Sequence, residues 1–315
     1  MSLAEHVRTL GRGPGRSRSL TQDEARDAMQ RMLAGDAAPQ AEGALLMLLR
    51  MKGETADEIA GFAAAAQAAG PAFPPVDLDW PSYGAGRTRG APWFLLSAQL
   101  VARAGHRVLL HGWNGSDPKV RQGLRAAGIG IASDPDAVAR LLERDNIAYL
   151  PLEDAHPALF RLLALRDVLG LRSCANTVCR MLNPAGAAAS VQGVFHPSYR
   201  DLQADAAARL GWQALSVIKG GGGEFERHPA KDIAVFGLRN GTRWEQSLAA
   251  RCDVPRRLSD TETDLAQALS GAELPGFETE IVIGTAALAL DTLGHPAPAA
   301  LAAELWSHRP RHLAA

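Results

Sequence analysis

The chain has 315 residues, 47% of them hydrophobic, with 33 Lys and Arg against 34 Asp and Glu, for a formal charge of -1. That length buries a real core and accommodates two domains, while the balanced charge excludes binding of a polyanion through bulk charge, so any such partner is held by local patches. Three cysteines, Cys174, Cys179 and Cys252, with no C-x-x-C spacing, exclude a disulfide framework and a structural zinc site. With the charged start MSLAEHVRTL and no run approaching roughly 18 apolar residues, they predict a cytoplasmic protein without signal peptide or membrane span.

In chain order, Thr21 with Glu24 and Thr55 with Glu58 form T-x-x-E capping boxes that predict two helix starts. Ala25, Ala28, Met29, Met32 and Leu33 follow the first at helical spacing, and Ile59, Phe62 and Ala63 follow the second. Leu45, Leu48 and Leu49 mark a third buried stripe between them. Pro71, Pro74 and Pro75 around Phe73 end this pattern, so residues 1–73 are predicted to be a small helical domain and residues 74–315 a larger one. In the larger part, β-like runs at Val108 to Leu110, Ile147 to Leu150, Leu215 to Ile218 and Ile233 to Phe236 alternate with helical patterns such as Val138 to Glu143. An α/β architecture is expected. Asn240-Gly241 is a two-residue hairpin signal, which makes the sheet mixed.

Gly220, Gly221, Gly222 and Gly223 follow the strand-like run to Ile218 and are bracketed by Lys219 and Glu224. Glycines let a loop present several N–H donors to an anion, and Lys219 adds a point charge. The run matches neither common nucleotide fingerprint, and a plain flexible turn is the competing reading.

The stretch Leu165-Arg166-Asp167-Val168-Leu169-Gly170-Leu171-Arg172, then Asn176, Leu182-Asn183-Pro184-Ala185-Gly186 and Gly193-Val194-Phe195-His196-Pro197, resembles the anthranilate phosphoribosyltransferase family. That family writes the segment roughly as R-x-x-L-G-x-R-[ST]-x-F-N-L-L-G-P-L-x-N-P-A followed by G-V-x-x-P. The resemblance implies a helical domain plus an α/β domain, with the segment 155–185 packing against the helices and homodimers forming through the helical part. It also maps the family's phosphoribosyl pyrophosphate loop, G-T-G-G-D-G, onto Gly84-Ala85-Gly86-Arg87-Thr88-Arg89, and its K-H-G-N onto Leu110-His111-Gly112-Trp113-Asn114. The family's magnesium-binding acid pair falls at Glu224-Phe225, so Glu224 stands for the first acid, the second is lost, and Glu226 is a partial substitute. Arg166 matches the arginine that contacts the acceptor carboxylate. A helix arginine paired with Asp167 is the other reading.

The substitutions add charge: Arg87 and Arg89 in the first loop and Lys219 in the second. Arg8, Arg12, Arg16 and Arg18 gather near the start, and Arg103, Arg107, Lys119, Arg121 and Arg125 later. The resemblance is therefore to a divergent, non-biosynthetic branch that includes nucleic-acid-binding homodimers. It implies binding of DNA or RNA without sequence preference through Gly84, Gly86, Arg87, Arg89, His111, Gly112, Asn114, Lys119, Lys219 and the glycine run, with Trp113 and Tyr83 gripping bases. The alternative is a phosphoribosyltransferase with an acceptor other than anthranilate, in which case alone Mg2+ is a cofactor.

Overall fold

The computed structural model describes residues 2–84, 90–115, 117–258, 265–269 and 274–309. The chain opens with four helices, α1 Leu3–Gly11, α2 Gln22–Ala34, α3 Pro39–Lys52 and α4 Ala56–Ala69. Both capping boxes form: Thr21 and Thr55 each accept from the amide three residues on, and Glu24 and Glu58 reach back to the cap amides. Glu58 is fully buried and also takes the Leu20 amide at 2.9 Å and the Lys52 ammonium at 3.0 Å, so one carboxylate joins the α1–α2 connection, α3 and α4. Ala25, Ala28, Met29, Met32, Leu45, Leu49, Ile59, Phe62 and Ala63 are buried, whereas Leu33 and Leu48 are half-buried.

A seven-stranded sheet follows, in the order β3-β2-β1-β4-β5-β6-β7. Its strands are β1 Leu78–Ser82, β2 Val108–Gly112, β3 Ile147–Pro151, β4 Ala189–Val194, β5 Ala214–Lys219, β6 Ile233–Arg239 and β7 Thr242–Leu248. The first five are parallel; β6 and β7 are antiparallel, joined at Asn240-Gly241 with φ of 49° and 73°. The hairpin is the one that the Asn-Gly pair predicts. The apolar runs do not predict β1 and β4. Pro81 interrupts β1, and Ser190, Gln192 and Gly193 interrupt β4, because both strands carry buried polar side chains instead of an apolar run.

Around the sheet run α5 Phe94–Arg103, α6 Lys119–Ala126, α7 Pro135–Asp145, α8 Leu152–Ala155, α9 Pro157–Ala164, α10 Arg166–Leu169, α11 Ala175–Arg180, α12 Tyr199–Arg209, α13 Leu265–Leu269, α14 Gly276–Thr292 and α15 Pro298–Ser307. Two large cores lie on opposite faces. One packs Trp80, Phe94, Tyr149, Val191, Ile218 and Phe225 against α14. In the other, Leu159, Leu162 and Leu163 of α9 and Val178 of α11 share a cluster with Met29, Met32, Leu45 and Phe62, which carries the helical domain on the sheet. Among the described residues no helix is long and apolar enough to cross a membrane. Cys174 and Cys179 are free and buried, and burial pushes both thiols well up from their ordinary values, so they are core residues.

His156 ties α9 to α4: its Nε2 lies 3.0 Å from the Ala66 carbonyl, and its Nδ1 accepts from the Leu159 amide at 3.2 Å. This fixes the neutral ring with hydrogen on Nε2, and burial holds its pKa below the ordinary value. Since the unfolded chain then binds a proton more readily, His156 contributes stability that is complete above about pH 6.5 and declines as pH falls below it. His228, also lowered by burial, adds a contribution of the same sign. Thermal melts from about pH 7.5 down to about pH 5.5, spanning the unfolded histidine value, should show a falling midpoint. His156→Asn, which keeps a helix cap without the titration, should flatten that slope.

Candidate functional site at the carboxyl edge of the sheet

In an open parallel sheet, ligands bind outside the carboxyl ends of the strands where the order reverses. Here that point lies between β1 and β4, the neighbours from which successive strands run outward in opposite directions. The chain fills the crevice with its own charges. Arg180, at the end of α11 and 6% exposed, donates from Nε to the Gly193 carbonyl of β4 at 3.0 Å and from Nη2 to the Tyr83 carbonyl just past β1 at 2.8 Å. Its Nη1 donates to the Asn176 carbonyl at 3.1 Å and also to Asn176 Oδ1. Burial holds the guanidinium below its ordinary pKa, and the Glu224 charge opposes that shift.

Glu224, 1% exposed, occupies the donors that the loops offer. Its Oε1 accepts the Gly84 amide at 2.7 Å and lies 3.2 Å from Asn114 Nδ2, which also donates to Ser82 Oγ at 3.2 Å. A Cβ on Gly84 would overlap this carboxylate, and one on Gly220 would overlap the Glu224 carbonyl, so these two glycines permit the fold-back that brings Glu224 inside. The glycine run is thus a tight turn, with Gly221–Gly223 as a short 3-10 element and Gly222 and Gly223 at positive φ. Beside it Gly84, Gly90, Asn114, Lys119 and Glu224 bound a small space of about 10 Å³, on the scale of a single water.

His111 is fully buried, with Nε2 3.0 Å from Asp79 Oδ1 and Nδ1 3.0 Å from the Tyr83 hydroxyl; Asp79 Oδ2 in turn accepts from Ser190 at 2.7 Å. This row of polar groups runs through the sheet and does not reach solvent. Tyr83 is likewise fully buried, and burial raises its hydroxyl pKa, so the expectation that Tyr83 grips a base is corrected: its ring packs edge-on to His111 at 5.5 Å. Trp113 is half-buried, with the Arg166 guanidinium 5.9 Å from its ring and Phe160 edge-on at 5.7 Å. Arg166 Nε also lies 3.5 Å from Asp167 Oδ1. Asn183, at φ 41°, clasps both backbone groups of Ala187 and shapes the turn before β4.

The residues present do not fit the family's paired-acid magnesium site. Phe225 turns into the core, fully buried and edge-on to Trp80 at 5.4 Å. Glu226 is buried behind it and accepts the Phe94 amide at 3.1 Å. Glu224 and Glu226 flank a bend that the Glu226 amide closes on the Glu224 carbonyl at 2.9 Å, and Glu224 is already committed to Gly84 and Asn114. Among the described residues no group of three His, Cys, Asp or Glu side chains converges on one point.

The basic residues divide between the two ends of the sheet. Lys219 is exposed at the end of β5, opposite Val194 of β4, and Lys119 opens α6 beyond β2. Arg107 precedes β2 and so lies at the amino end, and Arg103 donates to the Leu305 and His308 carbonyls. The five cations from Arg103 to Arg125 therefore do not form one patch: a strand and a helix separate them. Arg18 pairs with Glu24 at 2.6 Å, while Arg8, Arg12 and Arg16 lie along the first helix and the turn after it. Gly86, Arg87 and Arg89 lie outside the described residues. Sequence reasoning missed Arg180. The signal was readable, because the family pattern has G-P where the chain has Cys179-Arg180.

The helical bundle domain of the glycosyl transferase family matches residues 4–70, and the family's a/b domain matches residues 94–254. An anthranilate phosphoribosyltransferase of Rhodopseudomonas palustris strain HaA2 is 33% identical over 71% of this chain and 67% of its own. One of Myxococcus xanthus is 32% identical over 91% and 88%. The crystal structure of anthranilate phosphoribosyltransferase from Thermus thermophilus superposes with a TM-score of 0.79 at 24% identity, covering 98% of this chain and 95% of that one. The helical bundle, the mixed sheet and these matches place the chain in glycosyl transferase family 3, among the homologues of anthranilate phosphoribosyltransferase.

Proposed function

We propose that this chain is a non-catalytic member of its family that binds single-stranded nucleic acid without sequence preference, as a homodimer joined through its helical domain. The observation that carries the reading is a crevice occupied by the chain's own Arg180 and Glu224 beneath an open basic edge. Arg180 and Glu224 occupy the crevice from within, so a sugar diphosphate would have to displace a buried carboxylate from two donors. Above it, cations alternate with rings along the carboxyl edge: Arg166 over Trp113, then Arg172, Phe195, His196 and Lys219. Phosphates pair with the guanidinium and ammonium groups, and bases stack on the rings without regard to sequence. Met51, at the end of α3 and 81% exposed, offers the helical domain an apolar contact for a second copy.

Anisotropy titrations with a mixed-sequence single strand test this. If about three phosphates are neutralised, log affinity should fall against log salt with a slope of about -2. Charge reversal at Lys219 should lower affinity, and no binding at the lowest salt would end the proposal. The names of the relatives favour a second reading, phosphoribosyl transfer to another acceptor. Calorimetry decides between them: we expect no heat from phosphoribosyl pyrophosphate with magnesium at millimolar concentration, and saturable heat would favour the enzyme.

A further inference from the structure

A second hollow opens beside this crevice, between the end of α3, the start of α11 and the start of α12, and it is the wider of the two. Its inner wall is polar and buried: Asn176, Thr177 and Gln203 are 9%, 6% and 1% exposed. The Gln203 Oε1 atom is buried and has no hydrogen-bond partner among the described residues. A buried amide oxygen left in that state costs stability, so its retention at a cavity wall points to a partner that arrives from outside. At the mouth stand Arg50 and Arg172, both exposed, and two rings, Phe195 at 57% exposure and His196, edge-on to one another at 5.0 Å. Arg172 lies close enough to Arg166 and Arg50 that, after burial, their like charges hold it below its ordinary value. The acids nearby are Glu54, which accepts from the Tyr199 hydroxyl at 3.1 Å, and Asp167 beside Arg166.

We propose that this hollow holds one nucleotide, with its phosphate against Arg50 and Arg172, its base against Phe195 and His196, and a base-edge donor reaching Gln203. The chemistry matches part by part. Paired guanidiniums suit a phosphate dianion, exposed rings suit a base face, and a carboxamide suits a base edge that carries donors. The site deepens the nucleic-acid reading and rests on it for the source of the ligand, which is either a free nucleotide or the phosphorylated end of a strand.

The test uses the full-length protein and AMP, with adenosine and inorganic phosphate as controls, followed by calorimetry and by NMR of the tryptophan side chains. AMP should saturate, and each control should bind at least about ten-fold more weakly, since each lacks one of the two charged or stacked contacts. Arg172→Gln should weaken AMP about ten-fold, reflecting one lost charged contact. Gln203→Leu should also weaken AMP, yet leave the thermal midpoint unchanged or raised, because the amide oxygen it removes has no partner among the described residues; a purely structural glutamine would give the reverse. Comparing a 5′-phosphorylated with a 5′-hydroxyl oligothymidylate separates the sources: tighter binding of the former assigns the strand end, and equal binding assigns the free nucleotide. AMP that fails to bind, or that binds Arg172→Gln and Gln203→Leu as well as the native chain, overturns the pocket even if strands still bind. Loss of strand binding with AMP binding intact would overturn only the broader function.

Discussion

Replacing Arg180 with methionine is expected to lower the unfolding free energy by about 3–5 kcal/mol, the range for removing one partner from a buried charged network. The side chain donates to the Gly193, Tyr83 and Asn176 carbonyls and to the Asn176 side chain, so methionine strands acceptors on both sides of the switch point. It also leaves the buried Glu224 carboxylate without the cation that shares its crevice. The guanidinium is itself costly to bury, as the direction of its pKa shows. That cost is already met in the folded chain, and removing the charge does not restore hydration to the groups around it. Urea denaturation of native protein, Arg180→Met, Glu224→Gln and the double variant measures the coupling, expected at about 1–3 kcal/mol. A coupling of zero would mean that the two groups fill the crevice independently, and the account of an electrostatically coupled plug would fail.

The parts of the fold that sequence makes legible are those in which local chemistry and burial agree. The capping boxes at Thr21 and Thr55 work locally, and so does the Asn240-Gly241 turn, because each needs only residues a few positions apart. Strands β2, β3, β5 and β6 are apolar runs and can be read. Strands β1 and β4 cannot, since Asp79, Ser82, Ser190 and Gln192 are buried polar groups whose partners belong to other elements and loops of the chain, 12 to 111 residues away. The site fails for the same reason. A glycine run beside a lysine reads as a phosphate loop when the residue it encloses is unknown, and here that residue is Glu224, just past the run and bound to Gly84, 140 residues away. Which of the basic residues share an edge is likewise set by strand order, which no local pattern encodes.

The family's acid pair cannot be rebuilt by a single substitution. Phe225→Glu restores the second acid in sequence, but its side chain would replace a fully buried ring that packs edge-on to Trp80 within the larger core. Losing a buried phenylalanine costs about 3–5 kcal/mol through lost burial and a residual cavity, and bringing a carboxyl into the same space adds a desolvation cost. The expected loss is therefore at least about 4 kcal/mol, a large part of the roughly 5–15 kcal/mol that holds a protein folded. Phe225→Leu, which keeps the site apolar, should lose about 1.5 kcal/mol. The pH dependence separates a core acid from a working ligand. A carboxyl buried among apolar groups has a raised folded-state pKa, so Phe225→Glu should lose further stability as pH rises above about 4.3, the unfolded value. Denaturation midpoints at about pH 4.5 and about pH 7.5, on either side of that titration, provide the measurement, each taken with and without magnesium at roughly ten times the Kd of a weak site. A variant as stable as the native chain at the higher pH, or one stabilised by magnesium, would show that position 225 can turn outward and that the crevice accepts a metal.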